Sequence, residues 1–176
     1  GRAATNLLVF LPMSTPEIVL GTSLLTLFIT TTQWSFIPKG VLYPPGMPTI
    51  LIAHVMFNIS FVVVTVKARV AGLDPRLEQA AMDLYANEST TFWRITFPLV
   101  LPGIVAGALL AFSLSFDDFI ITNFNSGSTV TFPMYVWGAA QRGTPPQINV
   151  VGSLMFLVSL GIVLVAQVVQ RRRAKA

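Results

Sequence analysis

Three carboxylates stand where a carboxylate is costly. Glu17, Asp117 and Asp118 lie within or against long apolar stretches. An ionised acid at mid-membrane depth costs about 2.5–3.5 kcal/mol on insertion scales, so each needs a partner or a wet cavity. Glu17 follows two prolines in Leu11-Pro12-Met13-Ser14-Thr15-Pro16-Glu17, and the aspartates close Ser113-Leu114-Ser115-Phe116-Asp117-Asp118. Ionised carboxylates only accept hydrogen bonds and ammonium groups only donate them, so the set suits a cationic ligand, with Ser115 a lesser partner. On the residues alone a second reading stays open. Asp117 and Asp118 would cap or solvate a helix end, and Glu17 would pair within a bundle.

Other chemistry is poorly supplied. His54 is the one histidine, with no second His, Cys or suitably spaced acid, so no metal site is expected. The absence of cysteine excludes thiolate ligands, thiol nucleophiles and disulfides. The sequence shows neither a phosphate-binding glycine loop nor a Ser/His/Asp set with a plausible geometry, so any ATP hydrolysis belongs to another chain. Trp34, Trp93 and Trp137 fit aromatic belts at a membrane interface. Trp34 or Phe116 could also stack on an ammonium.

The elements that position these residues are membrane helices. Of 176 residues, 53% are hydrophobic and 10% charged, where soluble domains carry about 25% charge. Eighteen charged side chains cannot solvate a globule and also line a basic groove. The net charge of +4 therefore does not indicate nucleic acid. Charge-free runs at Thr49–Val66, Phe97–Phe116 and Ile148–Val169 are each long enough to cross about 30 Å of hydrocarbon. A fourth apolar stretch, Ala3–Thr32, is interrupted by its prolines and Glu17, which predicts a kinked or discontinuous span.

With the Arg2 side cytoplasmic, nine bases fall inside: Arg2, Lys67, Arg69, Arg76, Arg94, Arg171, Arg172, Arg173 and Lys175. Lys39 and Arg142 fall outside, and that bias sets the orientation and supports four spans. Glu17, Asp117 and Asp118 then sit in the outer part of the membrane. Gly103, Gly107, Ala111 and Ser115 recur every four residues, a small-residue stripe suited to packing on another helix. Asp118 falls within that arc and Asp117 just beside it. The chain opens on Gly1 with a basic residue directly before a span, which reads as a chain missing preceding residues.

The polar interval between the middle spans has its own pattern. Asp74-Pro75 reads as a helix start. Leu77, Ala80, Ala81 and Leu84 then form one apolar face with a small-residue centre, suited to a docking partner or equally to the lipid interface. Asn87-Glu88-Ser89 ends that helix. Gln79-Ala80-Ala81, three residues, Tyr85, nine residues and Ile95-Thr96-Phe97-Pro98 resemble the cytoplasmic signature of ABC importer permeases in spacing throughout. Gln79 replaces the family glutamate, with Glu78 adjacent, and Tyr85 replaces the glycine, which puts the local turn in question. His54–Val66, Asp83-Leu84, Ser113–Asp118 and Ser14-Thr15-Pro16-Glu17 further resemble the C-type permease subunit of bacterial spermidine/putrescine importers, with Thr15 inserted between Ser and Pro.

That resemblance implies an all-α membrane bundle of the type I ABC importer fold, with four of six spans present at about 3–32, 49–67, 96–122 and 147–170. It implies a coupling loop at 68–95 whose Leu77, Glu78, Gln79, Ala80, Ala81, Asp83, Leu84 and Tyr85 meet an ATPase. It further implies a second permease, two ABC ATPases holding ATP and Mg, an external polyamine-binding protein and a bacterial inner-membrane location with a cytoplasmic C-terminus. Glu17, Ser115, Asp117 and Asp118 would bind the polyamine, and the chain itself would be non-catalytic. An ion-coupled secondary transporter or channel is the alternative from another class.

Overall fold

The computed structural model describes residues 2–31, 34, 42–143 and 145–173, with the backbone alone at 2, 3, 8, 162, 163 and 165–173. Lys39, Lys175 and the side chains of Arg2 and Arg171–Arg173 therefore lie outside the described residues. All regular structure among the described residues is helical. The chain divides into two units, one ending at Pro133 and one beginning at Met134.

In the first unit, α1 (Arg2–Ser14) and α2 (Glu17–Thr31) are separated by Thr15-Pro16, and their axes differ by 107°. The break follows from proline. Pro16 has no N–H for the Pro12 carbonyl and disfavours helical geometry at Thr15. Thr15 N–H turns to Pro12 O at 3.4 Å, and the Thr15 hydroxyl donates to Leu11 O at 2.7 Å. Glu17 opens α2, where a negative charge favours the helix dipole. Along α2 the hydroxyls of Thr22, Thr26 and Thr30 donate to the carbonyls of Ile18, Thr22 and Thr26 at 2.8, 2.9 and 2.9 Å. Each hydroxyl is thereby satisfied within its own helix.

Helix α3 (Met47–Ala71) has 25 residues, about 37 Å of rise, enough to cross a bilayer. Its start is capped by Gly46 N–H donating to Thr49 Oγ1 at 2.7 Å. After α4 (Arg76–Asp83), α5 (Glu88–Thr91), a π-helical turn (Phe92–Thr96) and α6 (Phe97–Asp117) run on as one 30-residue helix. The wide turn precedes Pro98, whose ring and missing N–H break the regular ladder at that point. Helix α6 gives way at Asp118 to the short α7 (Ile120–Asn125).

Helices α3 and α6 pack antiparallel along the glycine stripe. A Cβ on Gly103 would lie 2.6 and 2.7 Å from Arg69 Cβ and Cγ, and one on Gly107 would touch Val62. At the other end Ser115 meets His54. The opposite flank of α6 exposes Val105, Leu109 and Phe112. Small residues face the chain and large apolar ones face out, as expected where hydrocarbon replaces water. Leu24, Phe28, Ala53, Phe57 and Ile121 form the buried core of α2, α3 and α7. Near it Gly127 holds φ +57°, and a Cβ there would sit 2.1 Å from Pro45 O.

Helix α8 (Phe132–Ala140) bridges the unit boundary. In the second unit α9 (Pro146–Arg173) runs 28 residues. Val150, Leu154, Phe156 and Leu157 are exposed around it, an apolar surface on several sides.

Candidate functional site

The corner between α6 and α7 holds a polar cluster in an apolar setting. Asp118 leaves helical geometry, with ψ 122°, and its carboxylate turns to the free N–H groups that open α7. Oδ1 accepts from Ile121 N–H at 3.3 Å, and Oδ2 accepts from Thr122 N–H and the Thr122 hydroxyl, both at 2.7 Å. From α3, His54 Nε2 lies 2.8 Å from Thr122 Oγ1 and 3.3 Å from Asp118 Oδ2. His54 Nδ1 lies 2.5 Å from Ser115 Oγ.

These contacts constrain the tautomer of His54. The Thr122 hydroxyl gives its one hydrogen to Asp118, so it can only accept from His54, and Nε2 must carry a proton. In a neutral imidazole Nδ1 then accepts from the Ser115 hydroxyl. With the ring in that neutral form the hydrogen bonds run one way, Ser115 to His54, His54 to Thr122 and Thr122 to Asp118. They tie α3, α6 and α7 together.

The structure corrects two readings of the sequence. It brings Ser115, His54 and Asp118 into a Ser/His/Asp constellation where the sequence shows no such set, because 61 residues separate Ser115 from His54. The cluster is a clasp between helices. Ser115 lies inside α6, where neighbouring backbone N–H groups serve the helix ladder, leaving no pair aimed as an oxyanion hole. His54, set aside as solitary, is the hub. The available signal was its isolation: a titratable group in a charge-free span must find a polar partner.

The four residues expected to bind substrate separate into two kinds. Ser115 and Asp118 belong to the clasp, and the Asp118 side chain is 5% exposed. Glu17 and Asp117 are exposed, at the start of α2 and the end of α6. No hydrogen bond or ion pair joins Glu17 to either aspartate among the described residues.

The loop between α3 and α6 is equally defined. Asp74 Oδ1 accepts from Arg76 N–H at 2.9 Å and opens α4. Ala86 N–H donates to Ala81 O at 3.1 Å and Tyr85 N–H to Met82 O at 2.9 Å. That pair is the Schellman closure, which needs a left-handed residue between. Tyr85 supplies it with φ 60°, so the turn that the glycine replacement put in question is formed. Asn87 then caps α5 through Thr90 N–H at 2.8 Å.

Glu78 accepts from the Thr96 hydroxyl at 2.7 Å, joining α4 to the π-helical turn. Beside it a cavity of about 200 Å³ is lined by Val70, Leu73, Asp74, Leu77, Ile95 and Leu99, among others. Ala81 is buried within the chain, whereas Leu84 and Tyr85 are 81% and 99% exposed. Leu77, Glu78, Gln79, Ala80 and Asp83 are exposed.

Long apolar helices, small residues at their contacts and a polar clasp within them define an α-helical membrane protein. The chain belongs to the family of binding-protein-dependent transport system inner membrane components, whose profile matches residues 1–175. Among curated relatives, the spermidine/putrescine transport system permease protein PotC of Haemophilus influenzae is 35% identical over 173 residues, 98% of this chain and 63% of its own. The putrescine transport system permease protein PotI of Escherichia coli K12 is 39% identical over 155 residues, 86% of this chain and 53% of its own. The Escherichia coli K12 PotC is 33% identical over 176 residues, 99% of this chain and 63% of its own. The chain thus spans between half and two thirds of the length of these relatives.

Proposed function

We propose that this chain is a permease subunit of an ATP-binding-cassette importer that carries polyamines, spermidine or putrescine, across the bacterial inner membrane. The observation that carries this reading is similarity over 98% of the chain to a relative named for spermidine/putrescine transport. The loop geometry supports it. Leu84 and Tyr85 protrude from a rigidly closed turn, and Glu78 binds that helix to the start of α6. A push on α4 is therefore transmitted to the span that ends at Asp117 and Asp118.

In this reading α4 docks on one of two ABC ATPases, which hold ATP and Mg, and the chain itself catalyses nothing. A second permease completes the pathway, and an external binding protein delivers the polyamine. Glu17, Ser115, Asp117 and Asp118 form the polar outer end of the route. There the exposed carboxylates of Glu17 and Asp117 meet ammonium groups that can only donate, and Ser115 and Asp118 hold the corner in shape. The C-terminus after α9 is cytoplasmic. The test is uptake of labelled putrescine and spermidine by the assembled complex in vesicles. ATP-dependent uptake that is abolished by Asp117→Asn with Asp118→Asn, while the ATPase subunits remain bound, is the expected result. Uptake that continues without ATP, or in the double variant, overturns the reading.

A further inference from the structure

The two adjacent aspartates at the end of α6 are chemically unequal. An ionised carboxylate offers about four lone-pair sites. On Asp118, Oδ2 is crowded by Thr122 N–H, the Thr122 hydroxyl and His54 Nε2, while Oδ1 accepts from Ile121 N–H at 3.3 Å. The Asp118 side chain is 5% exposed, so a cation could reach it only by opening the clasp that covers it. Asp117 is exposed, and its carboxylate has no hydrogen-bond or ion-pair partner among the described residues.

His54 decides that inequality. It lies in α3, outside the α6–α7 corner, and reaches both ends of the cluster: Ser115 through Nδ1, and Thr122 with Asp118 through Nε2. Removing the imidazole leaves the Thr122 hydroxyl without its donor, Ser115 without its acceptor and one site on Asp118 open. We propose that His54 is a positioning residue that retains Asp118 as a permanent internal anion of the clasp, so that Asp117 alone is the carboxylate this corner offers to an arriving cation. The nature of the cation rests on the transport reading above. The inequality of the aspartates rests on the geometry.

Carboxylate labelling tests it without requiring transport. The assembled complex in membrane vesicles is treated with a water-soluble carbodiimide and glycine methyl ester, and modification at each aspartate is quantified by mass spectrometry. Asp117 should react about tenfold faster than Asp118, which corresponds to about 1.4 kcal/mol of protection. His54→Leu should raise the Asp118 rate by about the same factor and leave the Asp117 rate unchanged. His54→Gln, which keeps a donor towards Thr122 and Asp118, should restore most of the protection. Equal labelling of the two aspartates in the unmodified protein, or an Asp118 rate indifferent to His54→Leu, overturns the proposal. Should His54→Leu fail to assemble, the unmodified ratio and Thr122→Val decide it. Loss of Asp118 protection in Thr122→Val supports the clasp, and full protection overturns it.

Uptake kinetics add a second criterion. Asp117→Asn should raise the KM for putrescine about tenfold with little change in maximal rate. Asp118→Asn should lower the maximal rate and leave KM unchanged. The reverse assignment overturns the proposal. If the unmodified complex imports no polyamine, the transport reading falls and the labelling ratio still judges the roles of His54 and Asp118.

Discussion

Tyr85 holds a backbone conformation that a tyrosine does not favour. Its φ of 60° belongs to the left-handed region, which costs a residue with a Cβ about 1 kcal/mol or more relative to glycine. The ring is 99% exposed, so within the chain nothing offsets that cost. Tyr85→Gly should therefore stabilise the α4 turn by about 1 kcal/mol, read as a raised thermal midpoint. The same variant removes a side chain from the proposed ATPase-facing tip, so coupling of ATP hydrolysis to uptake should fall as stability rises. Gly127 shows the opposite case. With φ +57° and Pro45 O 2.1 Å from a would-be Cβ, Gly127→Ala should cost on the order of 3 kcal/mol, seen as lost expression of folded protein. The sequence exposes the Tyr85 question because a signature glycine is replaced. It is silent on Gly127, since the contact with Pro45 joins distant segments.

Among the elements, the α3–α6 pair carries the most specific packing. Arg69 lies across Gly103 and sends its Nε–H to Leu99 O at 2.9 Å. The would-be Cβ of Gly103 meets Arg69 at Cβ and Cγ, the stiff base of that side chain. Gly103→Ala should thus push the helices apart and cost about 1–3 kcal/mol by overpacking, measurable as a lower midpoint for the detergent-solubilised complex. Gly107→Ala, whose Cβ would rest 3.4 Å from Val62 Cγ1, should be nearly neutral. The four-residue stripe was legible in the sequence as a packing face. Its partner was not, because register between two apolar helices depends on which side chains interlock. The break at Pro16 was legible for a different reason, since proline acts through its own missing N–H. Its angle depends on what α1 and α2 pack against, and residue types do not report that.

For the whole molecule, sequence charge was the most informative quantity, because few charges remain in the spans and each needs an account. Asp118 received its account from His54, a residue of another helix, which is why the clasp was hidden while the acidic pair was visible. If α4 is the transmission point, Leu84→Asp should reduce ATP-driven uptake by about tenfold or more by placing a charge in an apolar contact. The labelling contrast between Asp117 and Asp118 should stay intact, because the clasp lies at the far end of α6. A motion passed along α6 must also be taken up elsewhere, and the threonine face of α2 offers it little directional resistance. Its threonines spend their hydroxyl protons on their own carbonyls and so make no directional bond with those protons to anything beside them. That face is held by shape alone, whereas on its buried side Asn125 Nδ2 donates to Gly21 O at 3.2 Å and ties α2 to α7. The His54 cluster, whose bonds tolerate no slip, is the pin beside it.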